Sequence, residues 1–259
     1  MSTVTVIKIG GSVLTGAAAY ARAAVFVEGR LAEHPNERLV VVVSAEFGVT
    51  DRLLASALEI ASDPDPATLD LLWSTGELRS AALLALHLQS RGVRATALNV
   101  HQTGLTEPDV HAGPGRMAIR SLRLSSALAR YDVVVAPGFL ARGDADAVVS
   151  LGRGGSDLTA VLLAAGLGAR QCELVKDVPG YFSTDPNVDA SAAHLPVVDF
   201  AQALAMADAG CDLVQRQALE LARDRRLPLV VRAMDSPTRT IVSLTRTERR
   251  EPRRASAAK

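Results

Sequence analysis

Short apolar runs rich in β-branched residues recur along this chain, at residues 4–9, 39–43, 95–100, 132–136, 172–175, 228–233 and 240–243. Between them lie stretches with helical periodicity, at 17–31, 50–61, 67–91, 121–131, 158–167, 199–209 and 213–226. The run Leu39-Val40-Val41-Val42-Val43 is apolar throughout, without alternation. A strand of that kind is covered on both faces, as in a parallel sheet between helices. Strand and helix alternate along the chain, which predicts a parallel-rich α/β sandwich. Ser62-Asp63-Pro64-Asp65-Pro66 separates two helices, and Gly92 closes the second. Residues 103–119, with Pro108, Gly113, Pro114 and Gly115, read as a surface hairpin or loop.

The 259 residues are 48% hydrophobic, enough for one large core or two joined lobes. With 28 basic and 28 acidic residues the formal net charge is zero, so no global basic field holds nucleic acid. The basic residues of the 246–259 tail (Arg249, Arg250, Arg253, Arg254, Lys259) read as a solvated terminus. Cys172 and Cys211 stand far apart, and no histidine pair has ligand spacing, so the sequence predicts buried thiols and no resident metal site. The apolar runs are shorter than the roughly 20 residues a membrane span needs. Met1-Ser2-Thr3 leads directly into a strand, so the expectation is a chain without a leader and a cytoplasmic location.

Two glycine-bearing segments carry the chemistry. Lys8-Ile9-Gly10-Gly11-Ser12 closes the first strand. Glycines let backbone N–H groups approach a phosphate closely, and a lysine at the strand end adds a point charge. Taken alone, the segment equally suits a tight turn with a surface lysine. Gly152-Arg153-Gly154-Gly155-Ser156-Asp157 opens a helix, whose N-terminus favours anions. Arg153 has the fork that grips a carboxylate. Asp157 reads either as a functional acid or as a helix cap. Trp73 reads as core packing, and Ser74 and Thr75 as caps of a helix that Glu77 enters.

These segments occur in one order with Val43-Ser44-Ala45, Ser74-Thr75-Gly76-Glu77, Asp177-Val178-Pro179-Gly180-Tyr181 and Thr184-Asp185-Pro186. The ordered set, from about residue 4 to residue 244, resembles the aspartokinase branch of the amino acid kinase family. The resemblance implies a three-layer αβα sandwich on a mainly parallel central sheet, the fold shared with carbamate kinase. It implies one kinase domain over residues 1–245, with an acceptor-binding lobe to about 165 and a nucleotide-binding lobe from about 166. The implied reaction moves the γ-phosphoryl of ATP, with Mg²⁺, to the side-chain carboxylate of aspartate or a similar amino acid. In that scheme Lys8 neutralises the transferring group and Asp157 organises the lysine and the phosphates. Gly10, Gly11 and Ser12 cradle phosphates, and Asp177, Val178, Tyr181, Asp185 and Pro186 surround the nucleotide. Ser44, Thr50, Glu77, Arg153 and Ser156 hold the acceptor, with Glu77 at its ammonium. A homodimer through the N-terminal lobe is also implied; helix 81–88 could form its surface and equally suits the core.

Three departures from the family pattern shape the expectations. After Ala209-Gly210 the family places a small residue and a lysine, whereas this chain has Cys211-Asp212. That charge reversal calls for another cation, and Lys176 is the first candidate, with Arg216 second. It also motivates a rival reading, a binder of nucleotide or amino acid without turnover. Glu46-Phe47-Gly48 stands where the family has small residues, which would narrow or recharge the acceptor pocket and leaves open an acceptor with an additional amine or a different side chain. Finally, no regulatory domain fits after Leu244, so feedback inhibition by lysine or threonine is not expected.

Overall fold

A computed structural model describes residues 3–106, 122–152, 154–186, 188–189 and 191–245. The reading of residues 107–119 as a loop, the tail at 246–259 and Arg153 lie outside the described residues. In chain order the elements are β1 (Thr3–Ile9), α1 (Ala17–Glu33), β2 (Glu37–Val43), α2 (Val49–Ile60), α3 (Pro66–Ser90), β3 (Ala95–Ala97), α4 (Val100–Thr103), α5 (Leu122–Arg130), β4 (Val133–Pro137), β5 (Leu140–Arg142), β6 (Val148–Ser150), α6 (Gly155–Gly166), β7 (Cys172–Val175), β8 (Val197–Asp199), α7 (Phe200–Asp208), α8 (Arg216–Arg225), β9 (Leu229–Arg232) and β10 (Arg239–Ser243).

Among the described residues, eight strands form one sheet in the order β3-β4-β2-β1-β7-β9-β10-β8. Its pairings are parallel except for antiparallel β9–β10. Side chains along a strand point alternately to opposite faces. Accordingly Val6, Val40, Val42, Val134 and Leu174 pack with Ala160 and Leu163 of α6, Ala203 of α7 and Leu219 of α8. Ile7, Ile9, Val41, Val43 and Val135 pack instead on Tyr20 and Ala24 of α1 and Leu84 and Leu88 of α3. The expected three-layer αβα sandwich follows from that division, and it explains why the strands read as unbroken apolar runs. Each fully buried Val, Leu or Ile contributes roughly 1.5–3 kcal/mol of burial.

Side-chain caps open α3, α4 and α7, and the α4 cap lies within the stretch expected as a strand to Val100, which ends at Ala97. The Asp65 side chain accepts from the Thr68 N–H at 2.8 Å, and Pro66 follows at the first helical position. Asn99 and Gln102 form a capping box on α4. Asp199 caps α7 through the Gln202 N–H.

Several expectations are corrected. Ser74-Thr75-Gly76-Glu77 is not a turn or a cap but the middle of the single helix α3, which runs unbroken from Pro66 to Ser90. The Ser74 and Thr75 hydroxyls donate to the carbonyls of Leu71 and Leu72, so they do not compete with the helix. The segment expected as a loop from residue 103 instead begins with the end of α4, and Thr106 bridges to Arg142. The last long helix starts at Arg216 rather than 213. The hairpin β5–β6 and strand β8 have no counterpart in the sequence reading. Among the described residues no helix is long and apolar enough to cross a membrane.

Candidate active site

The chain leaves β1 toward β2 on one side of the sheet, and β7 lies on its other side. Ligands in open α/β sheets bind outside the carboxyl ends of the strands at such a switch point. Lys8 pairs in register with Leu174, and Lys176 follows directly after β7. Lys8 shares its sheet face with Val6, and Lys176 shares its face with Leu174, the face covered by α6. Both ammonium groups therefore meet the first turn of α6.

There Asp157, 2% exposed, stands between them. Lys8 Nζ lies 2.9 Å from Asp157 Oδ1, and Lys176 Nζ lies 2.7 Å from Oδ2. The Gln215 N–H also donates to Oδ2, at 3.3 Å. Burial alone would push the Asp157 carboxyl up, but the two lysine charges and their contacts outweigh it and hold it well below the usual carboxylate range. Burial and the neighbouring Lys8 charge lower Lys176, while Asp157 opposes that change. Asp157 is not the helix cap: Gly154, at φ 74° in the left-handed region, occupies that position. One carboxylate against two ammonium groups leaves a net positive, partly desolvated centre, which suits a phosphoryl group with its spreading negative charge.

A cleft of about 540 Å³ opens beside Lys8. Ser44 and Thr50, from the loop after β2 and the start of α2, line it together with Glu77, Ser156, Gly11 and Ser12. Glu77 Oε1 accepts from the Ala45 N–H at 3.2 Å, and Oε2 is buried without a hydrogen-bond partner. Burial pushes the Glu77 carboxyl up to about 7, against a smaller lowering by backbone N–H groups. Gly11 is required by space, since a Cβ there would lie 2.6 Å from the Ala45 carbonyl oxygen. The Gly10 N–H is not free to cradle a phosphate, because it donates to Val175 O at 3.1 Å.

A second cavity, of about 560 Å³, is lined by Val178, Tyr181, Asp185 and Pro186 on one side and by Cys211, Asp212 and Leu213 on the other. Four of the five residues expected around a nucleotide thus share one cavity. Asp177 is not among its lining residues. Tyr181 is buried, and its N–H donates to Thr240 Oγ1 at 2.8 Å. Cys172 is fully buried as expected, whereas Cys211 is only partly covered.

Other expectations change. Arg216 is exposed and engaged with Asp208 and Glu220, far from the role of a compensating cation. Glu46 does not recharge the cleft as a free anion: Arg79 donates to it at 2.7 Å and the Gly16 N–H at 3.1 Å. Trp73 is not sealed in the core but lines the cleft, edge-on to Phe139 at 6.0 Å. Phe139 and Gly138 were missed by sequence reasoning. Phe139 sits at φ 68°, a conformation a bulky residue rarely adopts. A Cβ on Gly138 would lie 2.6 Å from Ser156 Cβ, so this glycine admits the start of α6 against the sheet. The only trace of either in the sequence is a Gly-Phe pair directly after a strand.

The sequence pattern of the amino acid kinase family matches residues 3–233. An aspartokinase of Geobacillus stearothermophilus is 37% identical over 205 residues, 79% of this chain and 50% of the relative. An aspartokinase of Mycobacterium tuberculosis is 38% identical over 207 residues, 79% of this chain and 49% of the relative. The chain thus spans about half the length of the curated relatives it matches. Among solved structures, aspartate kinase from Synechocystis superposes with a TM-score of 0.80 at 34% identity, covering 94% of this chain and 40% of that one. Aspartokinase III of E. coli, solved with aspartate and ADP, gives 0.77 at 25% identity, covering 93% of this chain and 65% of that one. The uridylate kinase of Archaeoglobus fulgidus, at 18% identity and a TM-score of 0.65, shares the fold. With this pattern spanning nearly the whole described chain, the protein belongs to the amino acid kinase family.

Proposed function

We propose that the chain is an ATP-dependent kinase that phosphorylates the side-chain carboxylate of L-aspartate or a closely similar amino acid. The observation that carries this reading is the Lys8–Asp157–Lys176 cluster at the carboxyl ends of β1 and β7. It is supported by the acceptor-type lining of the adjoining cleft and by relatives named aspartokinase.

An acceptor carboxylate is already ionised near pH 7, so the reaction needs no strong base. A carboxylate oxygen attacks the γ-phosphorus, the bond to the β–γ bridging oxygen breaks, and ADP leaves with that electron pair. An acyl phosphate is the product. Catalysis is then positioning and charge. In our reading Lys8 and Lys176 face the transferring group, and Asp157 holds both lysines in place. Gly11 and Ser12 approach the phosphates, and Ser44, Thr50 and Ser156 orient the acceptor. Glu77 receives the ammonium, which gives its unpartnered oxygen a donor. Arg153, by its place between the glycines, takes a carboxylate. Val178, Tyr181, Asp185 and Pro186 border the nucleotide.

Magnesium would neutralise phosphate charge. Among the described residues no cluster of three His, Cys, Asp or Glu side chains is placed to hold a metal. That donor set fits an ion carried in by the phosphates and water rather than a resident metal. One continuous sheet supports one kinase domain whose acceptor lobe supplies β1–β4 and whose nucleotide lobe supplies β7–β10, with the β5–β6 hairpin as a separate two-stranded sheet. A homodimer would use the N-terminal lobe, where Val25 of α1 and Leu86 of α3 are exposed.

The test is ADP release and hydroxamate formation with ATP, magnesium and hydroxylamine. Hydroxamate from aspartate is expected. Nucleotide binding without ADP release in the presence of any amino acid would overturn the kinase reading in favour of a silent binder, which Asp212 in the second cavity motivates.

A further inference from the structure

We infer that Glu46 is a positioning residue for the acceptor: its carboxylate ties the loop carrying Ser44 and Thr50 both to the start of α1 and to Arg79 of α3. The inference rests on the acceptor-kinase reading above and deepens it, since it names what holds the acceptor loop against the phosphate segment.

Two segments meet at the carboxyl ends of β1 and β2. Gly11-Ser12 follows β1 and, in our reading, approaches the phosphates. Residues 44–50 follow β2 and, in the same reading, orient the acceptor. The Ser44 N–H donates to Ile9 O and the Phe47 N–H to Leu14 O, both at 3.2 Å. The segments close at Gly11, where a Cβ would meet the Ala45 carbonyl oxygen at 2.6 Å.

Burial does little to anchor the far end of this loop. Ala45 is buried, but none of residues 46–50 is, and Phe47 is 67% exposed. Thr50 stands in the first turn of α2, a helix with no buried residue along its length. A segment with so little buried apolar surface opens readily.

Glu46 supplies the anchor. Its Oε1 accepts from the Gly16 N–H at 3.1 Å, and its Oε2 accepts from Arg79 Nη1 at 2.7 Å. Gly16 is the N-cap of α1, a helix with no side-chain cap of its own and no acid in its first turn. Orphan N–H groups and the helix dipole both favour a carboxylate at that end. Arg79 lies just beyond Glu77 in α3, and Glu77 Oε1 accepts from the Ala45 N–H at 3.2 Å. One side chain of the loop thus joins α1 to α3 across the acceptor segment. The Arg79 guanidinium also holds the Glu46 carboxyl below its usual range, which keeps the bridge ionic. Ordering a loop in advance removes that cost from the binding step. Losing the anchor should therefore raise acceptor KM more than it lowers kcat.

The test compares the full chain with Glu46→Gln, Glu46→Ala and Arg79→Met. Hydroxamate formation with ATP, magnesium and L-aspartate gives kcat and KM, and calorimetric titration gives aspartate binding. Gln keeps an acceptor for the Gly16 N–H but loses the charge facing Arg79, so aspartate KM should rise about threefold. Ala loses both contacts, and aspartate KM should rise about tenfold. In each variant kcat and the KM for ATP should stay within about twofold. Arg79→Met should match Glu46→Gln and add nothing to it in the double variant, the mark of a shared contact. The gap between the unaltered chain and Glu46→Gln should narrow as salt is raised, because the Arg79 side chain is 56% exposed. Unchanged aspartate KM in both Glu46→Ala and Arg79→Met, or equal losses in kcat and in the KM for ATP, would overturn the inference. Arg79→Met removes only a surface side chain, so it decides the matter should Glu46→Ala fail to fold. Aspartate binding that the variants weaken, without any hydroxamate, would overturn the kinase reading and leave the positioning role. Neither binding nor hydroxamate from the unaltered chain would overturn both.

Discussion

The Lys176 ammonium lies 2.7 Å from Asp157 Oδ2, on the carboxylate oxygen that Lys8 leaves to it. Asp212, exposed, lines the second cavity, at a position where the family resemblance leads one to expect a lysine. In our reading the second positive charge of the centre is that of Lys176, directly after β7, rather than one from the loop before α8.

Replacing that charge should affect the transfer step more than binding. Lys176→Met is expected to lower kcat by about two to three orders of magnitude, the effect of losing one donor to a developing anion. Arg216→Ala should leave turnover within about twofold, because Arg216 is occupied on the surface by Asp208 and Glu220. Steady-state kinetics of the two variants decides the matter, and equal losses would reverse the assignment.

Asp157→Asn would leave two ammonium groups facing each other in a buried site. Breaking a buried ionic cluster by removing one partner costs roughly 3–5 kcal/mol, to be read from urea unfolding. The sign of the pH effect follows from the lowered carboxyl. Its stabilising contribution is complete above about pH 4, the ordinary carboxylate value, and fades only as pH falls through the lower folded value. The variant should lack that acid-side loss.

Glu77 titrates in the opposite sense. Its carboxyl is raised to about 7 by burial, so the folded state keeps a proton that the unfolded state loses near 4.5. Its contribution to stability is full below that unfolded value and is lost as pH rises through 7. An acceptor ammonium favours the ionised form, so acceptor KM should fall as pH rises through 7. Glu77→Gln should flatten both profiles, and an unchanged pH dependence of KM would remove Glu77 from the ammonium site.

Gly138→Ala places a Cβ 2.6 Å from both Ser156 Cβ and Oγ and 3.0 Å from Val43 O. Overpacking of this kind destabilises by about 1–3 kcal/mol. Ser156→Gly on the same chain should recover part of the loss, a non-additivity that a double-mutant cycle measures.

Much of the architecture was legible in the residues themselves. Val40-Val41-Val42 and Val133-Val134-Val135 read as unbroken apolar runs because helices cover both faces of the sheet. Asp65-Pro66 lies in the segment read as separating two helices, and in the structure it starts α3 through a cap and a proline at the first position. The sheet hairpin and β8 were not legible, being short strands of three residues with ordinary composition. Ser74-Thr75-Gly76 misled because small polar residues and glycine are local turn signals. Gly76 is there for a different reason: its Cβ would lie 3.0 Å from Ala45 Cβ and 3.1 Å from Val49 Cγ1, so it lets the acceptor loop and α2 close on α3.

By itself, then, the sequence determined the layers, most of the long helices and the order of the glycine-bearing segments, because these depend on burial period and local backbone chemistry. The tertiary structure alone decided which charges meet. Lys8 and Lys176 are distant in the chain, and neither one's neighbours say where its ammonium goes. The parallel register of β1 with β7 and the two-residue alternation of side chains turn both toward the face covered by α6, where Asp157 waits in the first turn.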